Sequence, residues 1–125
     1  MEGNLLSKIE NYDAKICVVG LGQVGLPTAL TFCQSGFDVT GHDINKDILS
    51  SLNQSKAPFE EEGLEELLKS CITSGRFHTN SSAEESVRNA DVIIVCVATP
   101  LTSGIMPDLS YIEKACQSIS TVSLE

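Results

Sequence analysis

The residues of this 125-residue chain whose types and spacing carry chemistry are three glycines and one acid: Gly20, Gly22, Gly25 and Asp43. The glycines follow the G-x-G-x-x-G pattern and come directly after the apolar run Ile-Cys-Val-Val at 16–19. The first glycine lets a chain turn sharply out of a strand. The second has no Cβ, so a phosphate can approach the backbone. The third lets the following helix pack closely on the sheet. A helix that starts there aims free N–H groups and its positive dipole end at the same point. Asp43 lies eighteen residues beyond Gly25 and closes a second strand expected at 39–42. A carboxylate in that place accepts hydrogen bonds from the diol of an adenosine ribose. Strand, glycines, helix, strand and acid in that order make the pattern far more specific than glycine spacing alone, and they predict a dinucleotide seat. The carboxylate would repel an additional 2′-phosphate, and no Arg follows it, so the expected cofactor is NAD. A flavin dinucleotide satisfies the same fingerprint, which therefore specifies only the adenosine half.

The rest of the chain supplies elements to hold this seat. A buried strand at 16–19 leads into a helix at 24–34, stopped by Gly36, and then into a strand at 39–42. Helical spacing recurs at 45–53 and at 61–74, where Leu64, Leu67, Leu68 and Ile72 form one stripe ended by Gly75; Pro58 separates the two. A short strand is expected at 76–79, and Ser82 with Glu85 has the capping-box spacing of a brief helix. The most apolar strand runs over 91–97. After it, a last helix begins at Asp108 or Ser110, with Leu109, Ile112, Ala115, Cys116 and Ile119 inward. Residues 1–14 read as a loose polar lead-in with a short helix at 5–10.

This alternation predicts an α/β, Rossmann-type parallel sheet of order 3-2-1-4 over residues 15–125, with helices on both faces. The crevice between strands one and four is then the ligand site. That order leaves the strand at 91–97, which has no polar face, at a sheet edge without charge, Pro or bulge to blunt it. The domain is therefore expected to be a truncated doubly wound unit, a fragment of a longer protein.

Composition narrows the partners. Seventeen acids against eight bases give a net charge of −9, which repels nucleic-acid backbones and anionic membranes. The longest apolar run, 92–98, is too short for a bilayer, and the N-terminus has no apolar signal core, so a cytoplasmic protein is expected. Five scattered cysteines, Cys17, Cys33, Cys71, Cys96 and Cys116, never reach metal-ligand spacing and read as small buried hydrophobes. His42 and His78 fall on separate strands and read as structural. No metal site and no catalytic residue is expected in this stretch.

The segments GLGQVGLP at 20–27, GHD at 41–43, PFEEEGLEELL at 58–68, ADVIIVCVATP at 90–100 and PDLSYIEKA at 107–115 together resemble the NAD-binding domain of the UDP-glucose/GDP-mannose dehydrogenase family. Order and spacing agree over about 15–120. The resemblance implies a pyrophosphate cradle at the backbone of Gly22, Gln23 and Val24, a ribose acid at Asp43, and a cofactor-side threonine at Thr99. It also implies a homo-oligomeric enzyme that oxidises the C6 alcohol of a nucleotide-diphosphate sugar to the carboxylate, through two hydride transfers to NAD. The family's catalytic cysteine lies in a Ser-Cys-Phe-Pro-Lys-Asp segment that is not in this chain, so the chain alone is expected to be inactive. Two departures stand out. Glu60 and Glu62 replace the usual tyrosine and proline, and Asp47 and Ile48 stand where a basic residue often follows the ribose acid. Ser120-Thr121-Val122 spells a family motif but falls within the helical run, and its role is not transferred. Two other readings remain open: a non-catalytic NAD-sensing regulatory module, and the NAD domain of a hydroxyacid or hydroxyacyl dehydrogenase.

Overall fold

A computed structural model describes residues 2–97 and 109–120. The chain runs α1 (Glu2–Glu10), β1 (Lys15–Val19), α2 (Gly25–Ser35), β2 (Asp38–His42), α3 (Lys46–Asn53), α4 (Leu64–Thr73), β3 (Phe77–Thr79), α5 (Ala83–Arg88), β4 (Val92–Val95) and α6 (Ser110–Ser120). The four strands are parallel in the order β3-β2-β1-β4, as expected.

The apolar run of β1 is explained by its central place. Side chains alternate across a strand, so Ile16 and Val18 face one layer while Cys17 and Val19 face the other. The first layer is α2, α3 and α4, whose Leu26, Leu30, Leu52 and Leu68 pack on Val39 and Phe77 of the sheet. The second is α5 and α6, with Val87 and Ala115 over Cys17 and Val19. Leu30 and Leu68 are fully enclosed, and truncating either to Ala costs about 3 kcal/mol. Helix α2 ends as its sequence dictates: Gly36 takes a left-handed φ of 115° and returns its N–H to the carbonyl of Cys33.

Three boundaries and one helix face differ notably from expectation. The N-terminal segment is helical from Glu2, with the apolar side chains Leu5, Leu6 and Ile9 at helical spacing. It is tied to the sheet by Lys8, whose Nζ lies 3.1 Å from Asp91 Oδ1. Helix α4 begins at Leu64 and not at 61, because Gly63 adopts a left-handed φ of 79° and interrupts any helix running through the acids before it. Strand β4 is shorter than 91–97, although the Cys96 N–H still donates to the Val19 carbonyl at 2.7 Å. As the edge strand it is only half-buried, and Val95 is 37% exposed. On α6, Ala115 is buried and Ile112 and Ile119 are partly so, but Cys116 is exposed, as is Leu109 just before the helix. With β4 at the edge, α6 covers one side only, and its inward arc narrows to residues three and four apart.

The expected capping box at α5 is half formed. Ser82 Oγ accepts the Glu85 N–H at 3.2 Å, but the Glu85 carboxylate turns to Asn80 Nδ2 at 3.4 Å. The Ser82 N–H is taken instead by Asn80 Oδ1 at 2.8 Å. Of the five cysteines, Cys17, Cys33 and Cys71 are buried, Cys96 is half-buried and Cys116 is exposed, so the reading as buried hydrophobes holds for three. Among the described residues no helix is long and apolar enough to cross a membrane.

Candidate dinucleotide-binding site

The turn after β1 is built on mutual contact between its glycines. Gly20 has a φ of 100°, which an L side chain rarely adopts, and its N–H donates to the His42 carbonyl at 2.8 Å. A Cβ on Gly25 would overlap the Gly20 carbonyl oxygen. Close packing at the third glycine is thus packing against the first. Gly22 is different: a Cβ there would meet no protein atom within 4 Å. The space it leaves free belongs to the crevice that Gly22 lines.

The residue between the first two glycines, Leu21, carries a tie that spacing did not reveal. Its side chain is fully buried and sits where a Cβ on Gly41 would come within 2.9 Å of both its δ carbons. Its N–H donates to Asp43 Oδ2 at 2.8 Å, while Asp43 Oδ1 accepts the Asn45 N–H at 2.8 Å. Asn45 in turn caps α3, accepting the Asp47 N–H at 2.9 Å. Asp43 is therefore held from two sides at the tip of β2. Each oxygen of a carboxylate has two lone pairs, so each keeps one for a further donor.

Helix α2 begins at Gly25 with Val24 as its N-cap, which has no side-chain acceptor and is 69% exposed. Its first turn holds no acid, whereas α3, α4, α5 and α6 each carry at least one there. Among the described residues, no acceptor is paired with the N–H groups of Gly22, Gln23 or Val24. Three adjacent donors, a positive dipole end and no competing carboxylate make a seat for an anion.

These residues share one crevice of about 760 Å³. Gly20, Gly22, Gln23, Val24 and Asp43 line it on the side of β1 and β2, with Ile44 and Ile48 beside the acid. Val87, Ala115 and Ile119 make its apolar wall on the α5–α6 side. Gly25 packs behind the turn. Thr99 and the Thr-Pro loop lie outside the described residues. Lys114 also lines the crevice and was not anticipated; its one signal in the sequence is its place beside the inward Ala115. A second hollow, about 570 Å³, is lined by Glu60, Glu61, Glu62 and Glu65 and is electrostatically closed to phosphate. Among the described residues no group of His, Cys, Asp and Glu side chains is arranged to hold a metal.

A parallel sheet of order 3-2-1-4, with a glycine turn at a helix N-terminus and an acid at the tip of the next strand, defines a dinucleotide-binding domain of the Rossmann class. Comparison with known proteins then gives the family. Residues 14–125 match the model of the UDP-glucose/GDP-mannose dehydrogenase family, NAD binding domain, and the chain belongs to that family. Its cofactor is accordingly NAD, and the open space at Gly22, with backbone donors beside it that have no partner among the described residues, fits that cofactor's pyrophosphate. The chain is 39% identical over 108 residues to UDP-N-acetyl-D-mannosamine dehydrogenase of Pyrococcus horikoshii, covering 86% of this chain and 25% of that protein. It is 36% identical, over the same shares, to GDP-mannose 6-dehydrogenase of Pseudomonas savastanoi pv. phaseolicola. A solved UDP-glucose dehydrogenase from the archaeon Pyrobaculum islandicum superposes with a TM-score of 0.82 at 37% identity, covering 85% of this chain and 24% of that one. The chain thus spans about a quarter of the length of the relatives it matches.

Proposed function

We propose that this chain is the NAD-binding portion, residues 15–125, of a nucleotide-sugar 6-dehydrogenase, and that Gly20, Gly22, Gln23, Val24, Gly25, Asp43 and Thr99 form its cofactor site. The observation that carries the reading is the fixed carboxylate of Asp43, bonded to the Leu21 N–H at the mouth of the glycine turn. In this reading the backbone at Gly22, Gln23 and Val24 holds the pyrophosphate. Asp43 spends its two remaining lone pairs on the ribose hydroxyls and repels a 2′-phosphate. Gly20 and Gly25 keep the turn in shape, and Thr99 is assigned to the cofactor on the family resemblance alone. NAD, when bound, accepts hydride from the C6 alcohol of a nucleotide-diphosphate sugar. The nucleophile, the acid–base groups and the sugar pocket come from outside this stretch. The names of the relatives favour this over an NAD-sensing module or a hydroxyacid dehydrogenase. The full enzyme is, on the same reading, a cytoplasmic homo-oligomer.

Calorimetric titration with NAD and NADP, on the wild type and on Asp43→Ala, tests the site. The wild type is expected to prefer NAD, and Asp43→Ala to bind it about tenfold or more weakly, the cost of one or two charge-assisted hydrogen bonds. Preference for NADP, or indifference to the substitution, refutes the assignment of the ribose acid.

A further inference from the structure

We infer that His42 reads the adenine base of the dinucleotide, its Nε2 accepting a hydrogen bond from the exocyclic amino group; this rests on the reading of the crevice as the NAD seat. His42 is 4% exposed and immediately precedes Asp43, so the two side chains leave opposite faces of the sheet. Asp43 turns toward the glycine loop. His42 turns toward the layer of α5 and α6. Its Nδ1 lies 2.9 Å from the Asn80 carbonyl oxygen. A carbonyl oxygen can only accept, so Nδ1 carries the proton and Nε2 of the neutral ring is an acceptor.

The ring is aimed by a braced partner. The Asn80 N–H donates to the Gly41 carbonyl at 3.0 Å, its Oδ1 accepts the Ser82 N–H at 2.8 Å, and its Nδ2 donates to Glu85 at 3.4 Å. The second ring nitrogen is left over. No described residue is bonded to Nε2, yet among the described residues no buried side-chain nitrogen or oxygen lacks a partner. With Nδ1 turned to the Asn80 carbonyl and His42 lining the crevice, Nε2 is the ring nitrogen that has no partner among the described residues and is available to the crevice.

The chemistry of the slot selects the ligand edge. With the ribose at Asp43, the base enters between Ile44 and the apolar wall of Val87 and Ile119, which suits a flat ring. The only hydrogen-bond donor on the adenine ring is its amino group, and among the described residues the lining from α5 and α6 offers no side-chain acceptor, which leaves that role on this side to His42 Nε2. A base with a carbonyl at the same carbon would set two acceptors against each other.

The test is calorimetric titration with NAD and with nicotinamide hypoxanthine dinucleotide, on the wild type and on His42→Leu. The wild type is expected to bind NAD about tenfold tighter than the hypoxanthine analogue, the discrimination of one matched bond. In His42→Leu that ratio should fall toward one. A wild-type ratio near one, or an unchanged ratio in the variant, overturns the inference while leaving the NAD site standing. Failure of the wild type to bind either dinucleotide overturns both. The wild-type ratio alone decides should the variant not fold, and nitrogen-15 NMR supplies a second readout: the Nε2 resonance of His42 should move on addition of NAD and stay put with the hypoxanthine analogue.

Discussion

Gly25 leaves no room for a side chain because the carbonyl oxygen of Gly20 occupies the place its Cβ would take. The first and third glycines of the turn are thus one packing contact, and the second is a different kind of position. Gly25→Ala should destabilise the fold by about 3 kcal/mol, since backbone and not a flexible side chain must give way. Gly22→Ala should leave stability within about 0.5 kcal/mol, because its methyl meets no protein atom. It should still weaken NAD about tenfold or more, by filling the phosphate's space. Urea denaturation beside calorimetry separates the two effects, and a Gly22→Ala variant with undiminished affinity would contradict the cradle.

The acid just before β4, Asp91, ties the first helix and strand to the sheet edge, and it does so in a pH-dependent way. The Lys15 N–H donates to Asp91 Oδ2 at 2.9 Å and Lys8 Nζ to Oδ1 at 3.1 Å. The backbone bond above all, with help from the Lys8 ammonium and against some burial, holds the Asp91 carboxyl below its usual 3.8. A folded value below the unfolded one means that the group binds its proton less readily in the native state. Its contribution to stability is then complete above the unfolded value and is lost as pH falls through the lowered one. Asp91→Asn should therefore be less stable than the wild type near neutrality, with the gap closing as the solution is made strongly acidic. A Lys8–Asp91 double-mutant cycle should give a coupling of about 0.5 kcal/mol, as for a solvent-exposed pair. A gap that stays constant down to acid pH would show that Asp91 acts through shape alone.

Thiol reactivity offers a map of the same structure. Burial pushes the Cys17 thiol up to about 11, and burial, with the neighbouring Cys33, pushes Cys71 up to about 12. Neither should react at neutral pH without unfolding. Cys116 is exposed and should be labelled first, with the half-buried Cys96 following. Cys96 lines the crevice and Cys116 does not, so NAD should slow Cys96 and spare the rate at Cys116. Mass mapping of an alkylation time course reads both, and protection of Cys116 in place of Cys96 would move the cofactor elsewhere.

What the chain reveals before folding is what depends on near neighbours in sequence. The strand order follows from one central apolar strand and right-handed crossovers, and Gly20, Gly22, Gly25 and Asp43 are legible because motif spacing encodes them. The start of α4 is misread because three acids look like a helix's first turn, while the left-handed Gly63 decides the matter. Cys116 is misread because an apolar residue beside Ala115 looks inward until the one-sided cover of an edge strand is taken into account. The Asp43–Leu21 bond and the Leu21–Gly41 contact are invisible beforehand, and the lining residue Lys114 is signalled only by its place beside Ala115. Each joins groups brought together only when separate strands and helices are laid side by side.

The double tether of Asp43 has a consequence for anyone wishing to exchange the coenzyme. On the proposed reading, replacing this acid with a small neutral residue would remove the charge expected to repel NADP, and in the same stroke unfasten the backbone of Leu21 and the entry to α3. The loop is shaped by the same side chain to which the proposal assigns selectivity. A redesign for the phosphorylated coenzyme must first supply another acceptor for Leu21, or it will trade one discrimination for a slack binding loop.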